Sequence, residues 1–192
     1  TNLIDGCRHY YILMKYKNIN LIIEKIIRLY NGDKNKLFLV LVGGFSRSGK
    51  STFSEAAQKK IIDNGIKSEV ICLDNWITDI DKRTGQENVR GRFDYSQIIS
   101  SVECYLEGKE IRKLKYSPAN RKKIKSNYIV KNIDEGIIIV EGVVALDIAN
   151  LRLASNLNIY VETSENERKK RFYDFHFNVK NISLKESDLI YK

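Results

Sequence analysis

Four apolar runs divide the chain, at residues 37–42, 70–73, 137–140 and 157–161. The first and third are uninterrupted by polar residues, the pattern of strands buried on both faces of a parallel sheet. Helical patterns lie between them. Residues 51–63 place Phe53, Ala56, Ala57 and Ile61 on one stripe and stop at Asn64-Gly65. Residues 95–106 carry helical periodicity and stop at Gly108, and residues 162–175 read as a charged helix. Upstream, Ile19, Ile22, Ile23, Ile26, Ile27 and Tyr30 share a helical face that ends at Asn31-Gly32. Residues 79–91 form a polar loop, and the basic stretch 109–132 reads as a hairpin or an irregular insert around Tyr116 and Tyr128. Strands alternating with helices predict an α/β fold, a parallel sheet flanked by helices. Residues 1–36 are expected to form an N-terminal helical extension, packed on the edge of the domain or leading to another. No internal repeat or low-complexity tract is present.

The turn after the first run changes this picture from architecture to chemistry. Residues 44–51 read Gly-Phe-Ser-Arg-Ser-Gly-Lys-Ser, the G-x-x-x-x-G-K-S pattern of a phosphate-binding P-loop. Strand, glycine loop and helix follow in the order that the motif requires. Gly44 and Gly49 let the backbone turn tightly and approach a polyphosphate. The loop amides and the helix start point N–H groups at the anion. Lys50 is expected to reach the β- and γ-phosphates of ATP, and the Ser51 hydroxyl to hold Mg²⁺. The expected nucleotide cradle is Gly44, Ser46, Ser48, Gly49, Lys50, Ser51 and Thr52, on a P-loop NTPase-type sheet.

Two carboxylates follow strand ends, where α/β folds place their ligands: Asp74 after 70–73 and Glu141 after 137–140. Such groups sit near Mg²⁺ or orient an acceptor hydroxyl; otherwise they are loop or cap carboxylates. Arg168 and Arg171 share a helical face after the last strand, where guanidinium groups can close over a transferred phosphate or form a solvated face.

The net charge of +9 clusters at 109–125 and 168–171. It suits anionic small substrates; aromatic interleaving is sparse, which disfavours a nucleic-acid partner. Cys7, Cys72 and Cys104 form no C-x-x-C pair and no zinc pattern with His9 or His176, as expected of free thiols in a reducing cytoplasm. No apolar run approaches the length of a membrane span, and no secretory pattern opens the chain. It begins with Thr1, as a fragment or processed product would.

From residue 37 onward the chain resembles the uridine kinase and phosphoribulokinase family of P-loop kinases. The resemblance rests on 43–52, then Leu73-Asp74-Asn75-Trp76, Arg92-Phe93-Asp94, Lys115-Tyr116, Val140-Glu141-Gly142 and 168–171. It implies a P-loop kinase domain over 37–192, cut short at its C-terminus or complete, that phosphorylates a small-molecule hydroxyl with ATP and Mg²⁺. Asp74 matches the family's catalytic base, Ser51 and Glu141 its metal positions, and Arg171 a lid arginine, with Arg168 beside it. Tyr116 matches an aromatic that lines the nucleoside-base pocket.

Departures from uridine kinases gather around the acceptor. Asn88 stands at the place of a ribose-binding aspartate, and Arg121 at that of a pyrimidine-contacting histidine. Trp76-Ile77 replaces an aromatic pair, and Phe172 and Asp174 occupy basic positions of the lid. The acceptor is expected between Asp74, the 88–94 loop with Asn88 and Asp94, and Tyr116 with Arg121. A pyrimidine nucleoside, a sugar or sugar phosphate, and a pantothenate- or glycerate-like acid remain open. Arg121 favours an acidic or phosphorylated one. The competing class is a P-loop ATPase or nucleotide-dependent module acting on nucleic acid or protein, which would hydrolyse ATP without a small acceptor.

Overall fold

Alternation along strand β2 (Leu37–Gly43) sorts the molecule into two layers. Phe38, Val40 and Val42 cluster with Phe53, Ala57 and Ile61 of helix α2 (Lys50–Asp63) and with Ile22, Ile23 and Ile26 of α1 (Ile19–Asn31). Leu39 and Leu41 cluster instead with Ile98, Val102 and Tyr105 of α3 (Tyr95–Leu106) and with Leu151 of the short α4 (Ala149–Ala154). Strand β6 (Gly136–Glu141) repeats the division: Ile137 and Ile139 join the first layer, Ile138 and Val140 the second. Each fully buried aliphatic side chain contributes about 1.5–3 kcal/mol. Burial on both faces is why these two strands read as unbroken apolar runs.

The computed structural model describes residues 10–15, 19–32, 36–180 and 183. Five parallel strands form one sheet in the order β1 (Tyr10–Lys15), β7 (Leu157–Glu162), β2, β6, β3 (Ser68–Cys72). Val42 lies opposite Glu141, and Glu141 opposite Cys72. The carboxyl ends of β2, β6 and β3 are therefore level, and whatever follows them meets along one edge of the sheet.

The N-terminal segment corrects the expected helical extension. Helix α1 forms over Ile19–Asn31, but β1 pairs with β7 from Tyr10–Leu157 to Lys15–Glu162 and completes the sheet. Leu13 is exposed while Met14 is fully buried, so this edge strand has one covered side. Helix α5 runs Glu165–Lys180, starting later and ending later than the sequence pattern suggests. Strand β3 stops at Cys72, and Leu73 opens a 3₁₀ turn, Leu73–Trp76, that carries Asp74.

The basic insert is an antiparallel hairpin, β4 (Ile111–Ser117) with β5 (Lys122–Val130). The Tyr128 hydroxyl accepts from Cys72 N at 2.7 Å and donates to Val70 O at 3.2 Å, closing the otherwise open edge of β3. Asn75 donates to Cys72 O at 3.2 Å and accepts from Tyr116 N at 2.9 Å, tying the Asp74 turn to the hairpin. The next loop joins the same wall, with Thr78 N donating to Arg92 O at 2.8 Å and Asp94 N to Trp76 O at 3.0 Å. Among the described residues no helix is long and apolar enough to cross a membrane.

Candidate active site

Strand β2 hands the chain to α2 through a loop that only glycine can make at two points. Gly44 has φ +143°, and a Cβ there would lie 2.4 Å from Val161 O. Gly49, at the helix N-cap, has φ +96°. A side chain at either position strains the loop, so the glycines keep open a cradle lined by backbone, as a polyphosphate requires. Lys50 is 7% exposed and its ammonium donates to Phe45 O at 2.9 Å. Burial lowers its pKa from 10.5, and the charges of Glu141 and Asp74 oppose that shift.

Glu141 is the last residue of β6 and is 4% exposed. Its carboxylate accepts from Ser51 Oγ at 3.0 Å. Burial raises its pKa above 4.5 and nearby Asp74 adds to the rise, while the Cys72 thiol, Lys50 and Ser51 hold it down. A hydroxyl beside a buried carboxylate is an all-oxygen pair, the donor type that suits Mg²⁺ bound by few protein ligands and completed by phosphates and water. No group of three or more His, Cys, Asp or Glu that could hold a metal by itself occurs among the described residues.

Two clefts open at this edge of the sheet. The smaller, about 550 Å³, is lined by Gly49, Lys50, Ser51, Thr52, Glu141 and Arg171. The larger, about 690 Å³, is lined by Arg83, Arg92, Phe93, Tyr116, Arg121 and His176 among others. Ser46, Arg47, Asp74, Pro118 and Val143 line both, so the clefts share a wall. Asp74 therefore stands between the cleft beside the glycine loop and a second chamber. Burial raises its pKa from 3.8, and Lys50 and Arg47 pull it back.

Helix α5 leans on the P-loop through aromatic and guanidinium contacts. The Arg171 guanidinium donates to Arg47 O at 3.2 Å, and the Arg168 guanidinium lies 4.6 Å from the Phe45 ring centre. The Arg47 guanidinium stacks 3.6 Å over Phe175. Arg171 faces the smaller cleft and Arg168 the larger.

Most of the residues singled out from the sequence meet here. Ser46, Gly49, Lys50, Ser51, Thr52, Glu141 and Arg171 surround the smaller cleft, with Gly44 and Ser48 buried beneath the loop. Tyr116, Arg121 and Arg168 line the larger cleft, and Asp74 both. Asn88 and Asp94 do not line either. The Asn88 side chain accepts from Gly91 N at 2.9 Å. Asp94 caps α3, accepting from Gln97 N at 3.0 Å and Ser96 Oγ at 2.8 Å. Both side chains shape the wall by holding local turns, a common use of Asn and Asp. Arg47 and Arg92 stand inside motifs but are given no role by the sequence, and Arg83 is not singled out at all; for Arg83 and Arg92 the available signal is the arginine density of the loop before α3. Of the three cysteines, Cys72 and Cys104 are free thiols, and Cys7 lies outside the described residues, as does His9.

Comparison with known proteins agrees with the geometry. No family model matches the chain. It is 25% identical over 138 residues to a uridine kinase of Halobacterium salinarum, covering 68% of this chain and 59% of that one. It is 27% identical over 139 residues to a uridine kinase of Mycoplasma genitalium, covering 69% and 64%. The chain is thus similar in sequence to curated uridine kinases. It spans less than two thirds of the length of these two kinases. The solved structure of a possible uridine kinase from Bacillus stearothermophilus superposes with a TM-score of 0.65 at 18% identity, over 85% of this chain and 92% of that one. That likeness shows the P-loop kinase fold, a mostly parallel sheet flanked by helices.

Proposed function

We propose that the chain is an ATP- and Mg²⁺-dependent kinase that phosphorylates a hydroxyl of a small molecule in the cytoplasm. The observation that carries this reading is the place of Asp74 on the wall shared by the two clefts. A nucleotide in the smaller cleft and an alcohol in the larger one would meet beside its carboxylate.

In this reading Lys50 and the loop amides hold the β- and γ-phosphates, and Ser51 and Glu141 hold the metal ion. When bound, Mg²⁺ neutralises charge on the β- and γ-phosphate oxygens. Asp74 accepts a hydrogen bond from the acceptor hydroxyl and aligns it. The hydroxyl oxygen then bonds to the γ-phosphorus, the bond to the β,γ-bridging oxygen breaks, and the hydroxyl proton passes to Asp74. Arg171 and Arg168 supply positive charge over the transferred group, with α5 already against the P-loop. Tyr116 and Phe93 give the acceptor chamber apolar surface.

The test is a screen of nucleosides, sugars, sugar phosphates and hydroxy acids with ATP and Mg²⁺, read by ADP release. Release that depends on a small acceptor supports the kinase. Release unaffected by every acceptor overturns it in favour of an ATPase.

A further inference from the structure

The walls of the larger cleft are unusually cationic. Five arginines line it, at 47, 83, 92, 121 and 168, against a single acidic side chain, Asp74. Arg47 and Arg168 belong to the phosphate end, where each stacks on an aromatic ring. Of the five only Arg47 lines the smaller cleft as well; Arg83, Arg92 and Arg121 line the larger cleft alone, away from the wall around Lys50 and Ser51 and from the α5 contacts on the glycine loop. They come from separate segments: Arg83 and Arg92 from the loop before α3, and Arg121 from the tip of the β4–β5 hairpin.

The neighbouring charges make the contrast. Arg90, two residues from Arg92, pairs with Asp147 at 2.9 Å, and Lys122, next to Arg121, pairs with Asp81 at 3.1 Å. Arg83, Arg92 and Arg121 make no ion pair among the described residues. Arg90 and Lys122 thus have acidic partners, while the three cleft-lining arginines have none among the described residues. Arg83 is also held in place. Its Nε donates to Thr78 O at 2.8 Å and its Nη2 to the Tyr116 hydroxyl at 2.9 Å, which orients the rest of its five donors. The hairpin tip is pinned as well, since Ile80 N donates to Arg121 O at 2.9 Å. Three guanidinium groups on a braced wall form a receptor for an anion, because the planar fork matches carboxylate and phosphate oxygens. A neutral acceptor would leave that charge without use.

Resting on the kinase reading, we propose that the acceptor is anionic, a small phosphorylated or carboxylated alcohol whose charged group is bound by Arg83, Arg92 and Arg121. The anion docks at this wall, and the hydroxyl at the other end of the molecule reaches Asp74.

The experiment measures acceptor-dependent ADP release by the full chain with three matched sets: neutral nucleosides and sugars, their phosphate monoesters, and small hydroxy acids. It is repeated with Arg92→Gln and Arg121→Asn. Asparagine is chosen because Arg121 has φ +55°, a conformation that Asn tolerates. The expected result is turnover with one anionic set, which tells phosphate from carboxylate. Each variant should then raise the acceptor KM about 10–100-fold while the KM for ATP stays unchanged, which also shows that the variant is folded. A neutral set as the preferred acceptors overturns the anionic assignment and leaves the kinase reading standing. An acceptor KM unmoved in both variants overturns the arginine wall. ADP release that none of the sets stimulates overturns the kinase reading on which the proposal rests.

Discussion

The smaller cleft draws most of its lining from one stretch within residues 46–52 and from the strand-end positions Asp74 and Glu141, with Arg171 of α5, Pro118 of the hairpin tip and Val143 completing it. The larger cleft collects Arg83 and Arg92 from a loop, Tyr116 and Arg121 from a hairpin and His176 from α5. In the first, local backbone geometry creates the site: two glycines with positive φ and a helix start make the cradle wherever the loop is placed. In the second, no segment makes a site by itself. The wall exists because Asn75, Tyr116, Thr78 and Arg83 bond across segments. The phosphate side should therefore respond to substitution by losing chemistry, and the acceptor side by losing affinity and selectivity.

Among the tests of the two walls, the largest effect falls on the phosphate side. Lys50→Ala should lower kcat by about 10²–10³-fold or more, because it removes a preorganised charge from a water-poor site. The fold should survive, since that side chain's hydrogen bond is to its own loop at Phe45 O. Near-normal turnover would break the assignment of this cleft to the nucleotide.

The metal pair comes next. Ser51→Ala and Glu141→Gln should each raise the Mg²⁺ concentration for half-maximal activity about tenfold, the loss of one charge-assisted contact. A Mg²⁺ titration checks this, and unchanged curves in both variants remove the pair from the metal site.

Tyr116→Phe should give the smallest change. It removes the hydroxyl that accepts from Arg83, and the acceptor KM should rise about 2–10-fold, the worth of one hydrogen bond. The KM for ATP should not move. An equal change in both constants would mean that the two regions are not separable.

The same contrast explains what could be read from the chain. The meeting of Lys50, Ser51 and Glu141 in one cleft was legible because the P-loop pattern is local and the strand before each residue is an unbroken apolar run. Asp74 was legible as a strand-end carboxylate, although the strand stops one residue earlier than its apolar run. Only the order of motifs places Asn88 and Asp94 at the acceptor; each holds a local turn, and neither lines a cleft. Arg83 and Arg92 gave no spacing signal because a loop has no period; bonds to Thr78 O and the Tyr116 hydroxyl orient Arg83, and Arg92 is placed by its backbone. Strand β1 was missed although Tyr10–Met14 is an apolar run of five, because the helical face at 19–30 makes residues 1–36 read as one helical extension.

The central claim is that Asp74 serves the reaction between the two clefts, and Asp74→Asn tests it most directly when kcat and nucleotide affinity are measured together. The account predicts a fall in kcat of about 10²–10⁴-fold with nucleotide affinity unchanged. It also predicts a gain in thermal midpoint at neutral pH. Burial raises the Asp74 pKa above 3.8, so the folded protein binds this proton more readily than the unfolded chain. The ionised carboxylate therefore costs stability once pH exceeds the raised value, and that cost disappears as pH falls below 3.8. A variant with wild-type kcat, or one that loses nucleotide affinity while its chemical step is unchanged, would contradict the account.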